Sequence, residues 1–193
     1  AIGLGMGVTA MVSRRIGEGD PEAARRQAGA AIAISCTMQG GVALLVVLLR
    51  HDLVALAGAT GDTAALSARY LLMTVPSLVP MAVALAASGT LRAEGYGAKA
   101  MYITLISGLV LMVLDPIFII YWGLGLDGAA LGLVLFRFCL MGLALFFAAY
   151  QHGLIAQPDW AGVSDTFRPY MAVALPAIAT QLATPAGNYF LTI

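Results

Sequence analysis

Residues 100–126 read AMYITLISGLVLMVLDPIFIIYWGLGL, with one charge, Asp115, in the whole stretch. A bilayer core of about 30 Å needs roughly 20 apolar residues in helix. A central Asp costs about 2.5–3.5 kcal/mol, and each Leu, Ile, Phe or Val returns about 0.3–0.6 kcal/mol. More than ten such residues surround Asp115, so the segment is expected to insert. The same reading finds Gln27–Leu49, Tyr70–Leu91 and Pro169–Ile193 without charge, and Gly128–Tyr150 with only Arg137. Ala1–Ser13 reads as the tail of an earlier span. Four whole spans, a partial one in front and a last one cut short are therefore expected.

Composition agrees. Of 193 residues, 61% are hydrophobic and 10% charged, with mean hydropathy +0.91. A soluble domain carries about 25% charge, so water-facing surface is scarce here. Net charge is zero, and nothing points to nucleic acid. Cys36 and Cys139 lie inside apolar runs, and His51 and His152 lie far apart, so no disulfide framework or zinc-type cluster is expected. No signal-peptide pattern opens the chain, and both ends are expected to fall within helices.

The loops alternate in charge. Arg14, Arg15, Arg25, Arg26, Arg92, Lys99 and Arg168 fall in loops 14–26, 92–99 and 151–168; Arg50 and Arg69 fall on the other side. The positive-inside rule places the first three loops in the cytoplasm. Asp20-Pro21-Glu22 reads as N-cap, first helical residue and acidic first turn. Asp62 after Gly61 reads as a similar cap. Gly3-x3-Gly7 and Gly128-x3-Gly132 are small-residue pairs that allow close helix approach.

Three stretches together resemble one family. They are Gly7–Asp20 followed by Ala23-Ala24; Tyr70-Leu71, Pro76 and Gly89-Thr90-Leu91-Arg92-Ala93-Glu94-Gly95; and Leu114–Ile119 followed by Gly123, Gly125 and Gly128-Ala129-Ala130. In order and spacing they are similar to helices two to six of multidrug and toxic compound extrusion (MATE) transporters, and Leu175-Pro176-Ala177 resembles the start of the second half. The resemblance implies an all-α, polytopic membrane helix bundle: an incomplete MATE-like N-terminal lobe over 1–150, an inter-lobe loop over 151–168, and most of the first helix of the C-terminal lobe over 169–193. It implies export of amphipathic, often cationic compounds across the inner (plasma) membrane, in exchange for H⁺ or Na⁺, without an enzymatic step or other cofactor. The partners it implies are the bilayer, the small-molecule substrate, and the first helix and C-terminal lobe of the same polypeptide.

An ionisable residue within a span marks a functional site by default, and Asp115 is the sharpest candidate. Pro116 has no N–H to offer Met112 O. Thr104, Ser107, Gly108 and Leu111 project to one side with Asp115 at helical spacing, a small and polar stripe suited to a wet cavity. In the family pattern an Asn commonly stands four residues before the Asp, and a Thr often follows the Gly-Ala-Ala turn; here the residues are Leu111 and Leu133. Two oxygens are thus absent, which favours H⁺ over Na⁺.

Arg137 lies about 13 Å into the returning helix and Asp115 about 10 Å below the same surface. The two are cation-coupling candidates, read as a static ion pair, as a proton-binding Asp115, or as a pair that breaks during the cycle and satisfies both. Gln181, Thr184, Asn188 and Thr192 share a face of the last span, interrupted by Pro185; they either bridge helices or line the cavity. Gln181, Thr184, Asn188, Ser107 and Thr104 are the substrate-cavity candidates. Thr74, Ser77, Met81 and Ser88, beside Pro76 and Pro80, read as packing.

A lipid-linked oligosaccharide flippase of the same superfamily is the alternative function. Its diphosphate substrate calls for a strongly basic central cavity, and Arg137 is the single intramembrane base. A membrane-embedded enzyme would need clustered catalytic groups, which the spans lack. A structural, non-transporting membrane protein remains compatible with the same residues.

Overall fold

The computed structural model describes residues 2–158 and 160–191, and side-chain surroundings over 2–158 and 162–181. The chain runs through α1 (Ile2–Gly17), α2 (Pro21–Leu48), α3 (Arg50–Leu56), α4 (Gly61–Thr74), α5 (Leu78–Ala93), α6 (Gly97–Pro116), α7 (Gly125–Leu145) and α8 (Trp160–Leu191). α6 passes into a π-helical turn at Ile117–Tyr121, and α7 into another at Phe146–Gln151. No strand occurs among the described residues.

Three membrane crossings follow from length and composition among the described residues, and four if the bent α4–α5 pair is one span. α2, α6 with its π turn, and α7 with its π turn are each long and apolar enough; α4 and α5 pass the same test only as a pair, bent by 42°. The three single helices match three of the four whole spans expected, and the α4–α5 pair covers the stretch of the fourth. Their outer faces stay apolar: Met112 and Ile120 are 72% and 78% exposed, which suits contact with lipid rather than water. The protein is a multi-pass membrane protein.

Hydropathy blurred the element ends. Loop 50–69 holds α3 and the start of α4. α4 is capped at Thr60 without a side-chain bond, so Asp62 is a first-turn acid rather than the cap; there it complements the helix dipole. α8 starts at Trp160, nine residues before the apolar run, and continues through Pro185. The cap of α2 is as read: Asp20 accepts from Ala23 N at 2.9 Å, with Pro21 first in the helix.

α1 sits at the centre, packed against α2, α5 and α8. Leu4, Val8, Met11 and Val12 meet Ala24, Ala28, Ala31, Ile34, Ala86 and Ala174 in one core. A second core joins α5, α6 and α7 through Ala84, Ala87, Leu91, Ala100, Ile103, Leu140 and Ala144. Alanine and glycine let backbones approach where lipid supplies no hydrophobic drive. A Cβ on Gly7 would lie 3.1 Å from Tyr170 Cε2, and one on Gly3 would lie 2.9 Å from Ile178 Cγ1. Tyr170 is fully buried. Its hydroxyl donates to Leu4 O at 3.0 Å and shares a 2.7 Å bond with Ser35 Oγ, joining α8 to α1 and α2.

The strap between α7 and α8 is bound to the bundle. Leu154 N donates to Ala148 O at 2.8 Å, and Ala156 N to Arg25 O at 3.1 Å. Gly29 of α2 lies directly under Ala156 O, where a Cβ would collide with it.

Candidate functional site

α6 turns Ser107, Leu111 and Asp115 toward α7. Ser107 is fully buried, with its hydroxyl directed at Cys139 Sγ (3.8 Å). Leu111 Cδ1 and the Asp115 carboxylate both border Gly132. Thr104 does not join them: it is exposed and donates to Ala100 O at 3.3 Å. Pro116 interrupts the ladder beside Asp115. Ile117 N–H turns back only three residues, to Leu114 O, and the following turn widens until Trp122 N donates to Ile117 O at 2.9 Å. Such π turns inside helices frequently mark functional sites.

The carboxylate rests on glycine. A Cβ on Gly132 would collide with Asp115 Oδ1, and one on Gly128 would lie 2.7 Å from Phe118 O. The second Gly-x3-Gly pair therefore admits both the acid and the π turn. Asp115 is half-buried, and its Oδ1 has no hydrogen-bond partner among the described residues.

No ion pair joins Asp115 to Arg137 among the described residues. Arg137 instead reaches the break between α4 and α5. Its Nη1 donates to Thr74 O and to Ser77 Oγ, each at 2.7 Å. Ser77 Oγ also donates to Thr74 O at 2.6 Å. The break explains the choice. Leu78 N, the regular helical donor to Thr74 O, donates to Val75 O, and Val79 N donates to Pro76 O. A carbonyl stripped of its helical partner inside a membrane needs another donor, and the Ser77 hydroxyl and the Arg137 guanidinium both supply one.

The MatE family model matches residues 1–117, more than half of the chain. The chain belongs to the MatE family. Solved structures agree with this MatE assignment. The transporter VcmN of Vibrio cholerae in its bent form is 28% identical, with a TM-score of 0.85 over 99% of this chain and 44% of that one. An outward-facing multidrug resistance MATE transporter of the MOP superfamily is 25% identical, with a TM-score of 0.87 over 98% of this chain and 43% of that one. The corresponding inward-facing structure, at 23% identity, shares the fold with a TM-score of 0.80 over 94% of this chain and 43% of that one. The MatE chain thus spans less than half the length of these relatives. No curated protein matches it.

Elsewhere in the MatE chain the expected cavity residues are scattered. Gln181 is exposed on α8, while the side chains of Thr184 and Asn188 lie outside the described residues. A cavity of about 540 Å³ opens between the ends of α1, α2 and α8, bordered by Arg14, Arg15, Arg26, Gln27, Asp165 and Thr166. Sequence reading had these bases only as orienting loop charges. Thr74 and Ser77, read as packing, turn out to hold the intramembrane arginine. Their signal was the pair of prolines, Pro76 and Pro80, which announces freed carbonyls without saying what fills them. No cluster of three metal-binding side chains occurs among the described residues.

Proposed function

We propose that a complete protein containing this chain is a secondary active exporter, moving amphipathic or cationic compounds out across the inner membrane in exchange for protons. Family membership supports transport. The carboxylate of Asp115 carries the coupling reading: it is an acid inside a span, seated on glycine beside a π turn, with one oxygen unpartnered among the described residues. A proton needs only that carboxylate. A sodium ion prefers several oxygens, and the neighbouring Leu111 and Leu133 supply none. Neutralising the acid removes its cost in low dielectric, so protonation state and helix packing are coupled.

The test uses everted membrane vesicles bearing the complete protein and a fluorescent cationic dye. Dye movement is followed under an imposed proton or sodium gradient, for wild type and Asp115→Asn. Proton-driven movement that disappears in the variant is the expected result. Movement retained in Asp115→Asn sinks the coupling role while keeping the exporter. Absence of movement with either gradient, in folded protein, turns the reading to the lipid-linked oligosaccharide flippase.

A further inference from the structure

The bend in the α4–α5 span and the seat of Asp115 meet on one helix. α7 carries Gly132, on which the carboxylate rests, and five residues later Arg137, which grips the break. We propose that Arg137 is a positioning residue: it holds α4–α5 bent, and through α7 that bend sets the packing around Asp115. The inference rests on the proposed role of Asp115 for its second half only.

The location favours a device over a simple filler. Arg137 lies twelve residues from the start of α7, about 18 Å along its axis and so near mid-membrane. A charge is costly at that depth and is kept where it meets a definite polar partner. The partner is a carbonyl that exists only while the span is broken. Pro76 and Pro80 lack an N–H and keep the span kinked in any state; if it opened towards straight, Leu78 N would approach Thr74 O and compete with the guanidinium for it. The more bent span and the seated arginine therefore stabilise each other. Thr74 Oγ1 donates back to Tyr70 O at 2.8 Å, and Val75 N to Leu71 O at 2.9 Å, so α4 stays regular up to the break. The break is confined to Val75–Ser77. Asp115 sits about 7.5 Å from Arg137 along α7. A shift of α7 that follows the bend moves Gly132, and with it the surface against which the carboxylate is packed.

The experiment uses the complete transporter in lipid vesicles, with spin labels at Leu66→Cys on α4 and Arg92→Cys on α5, in a background of Cys36→Ser and Cys139→Ser. Complete straightening of a 42° bend would lengthen the separation of these sites by about 2.5 Å. Arg137→Met, which keeps the bulk but no donor, is expected to show part of that lengthening. It is also expected to move the pH midpoint of dye export by about half a unit or more. Arg137→Lys, which can still donate to Thr74 O, restores both in part. Ser77→Ala gives a smaller lengthening and serves as the deciding variant if Arg137→Met does not fold. An unchanged separation in the folded variant overturns the clasp. Lengthening with an unchanged pH profile overturns transmission to Asp115. Should Asp115→Asn export like wild type, the coupling role of Asp115 fails instead, and the label separation alone still decides whether Arg137 holds the bend.

Discussion

Gly3-x3-Gly7 and Gly128-x3-Gly132 are the same motif in different employment. The first lets α8 lie on α1: Ile178 fills the space over Gly3, and the Tyr170 ring the space over Gly7. The second admits a carbonyl, Phe118 O, and a carboxylate, Asp115 Oδ1. One seat is filled by side chains and backbone of α8, with a hydroxyl at its rim. The other is filled by polar atoms, one of which has no partner among the described residues. A small-residue pair thus marks where something comes close, and the neighbour decides whether the contact is structural or chemical.

Adding one methyl group at each seat separates the two. Gly132→Ala gives the largest expected effect on transport. The new Cβ displaces the carboxylate, so gradient-driven dye export should fall about tenfold or more, equivalent to roughly 1.4 kcal/mol on the limiting barrier. Gly3→Ala presses on Ile178 and its backbone and should cost about 1–3 kcal/mol of stability, with export per folded molecule retained. Thermal unfolding in detergent beside vesicle transport reads both. Equal transport loss at the two seats would erase the distinction.

Tyr170→Phe sharpens the comparison from the packing side. It removes the hydroxyl that bridges Leu4 O and Ser35 Oγ while keeping the ring over Gly7. Ser35 retains its bond to Ala31 O at 2.7 Å, so the loss should be about 1 kcal/mol. It should appear as a lower unfolding midpoint, with the pH profile of export unchanged. A shifted profile would mean that the α1–α8 seat also takes part in coupling.

The smallest expected effect lies outside both seats. Glu18 bonds to Arg14 Nε and Arg15 Nη1, each at 2.9 Å. The Arg14 hydrogen bond, helped by that of Arg15, holds its carboxyl below the usual 4.5. A depressed folded value stabilises above the unfolded one and is lost as pH falls. The contribution is therefore complete above about 4.5 and disappears at more acid pH. Glu18→Gln should slightly flatten the acid limb of an unfolding-midpoint profile; a steeper limb would contradict the assignment.

Much of the fold was legible because a bilayer makes hydropathy decisive. The four spans, the Asp20 cap and both glycine pairs follow from rules that act within one helix or one turn. Asp115 was legible for the same reason, as a charge where charge is costly. Element ends were less so. The first turns of α8 carry Asp165 and Arg168, and α3 carries Arg50, His51 and Asp52; polar helix outside the apolar run looks like loop to a hydropathy reading. The partner of Arg137 was not legible. Opposite charges at similar depth suggested Asp115, but the acceptor is the backbone oxygen of Thr74, 63 residues away. A main-chain carbonyl becomes available only when a helix breaks, and its residue name carries no trace of that. The exposure of Thr104 went unread too: it shares the helical angle of Leu111 and Asp115, but lies about 16 Å from Asp115 along α6, where its side chain is exposed.

The strap that joins α7 to α8 gives the molecule a lever. Because Ala156 is bonded to Arg25 and wedged over Gly29, α8 begins at a fixed pivot rather than on a slack tether. A helix of 32 residues is about 48 Å long. A tilt of about 10° around that pivot carries its far end through about 8 Å, while the near end scarcely moves. Up to Ile178 that helix lies on α1 and α2 through Tyr170 and the Gly3 and Gly7 seats, so such a tilt would have to carry α1 with it.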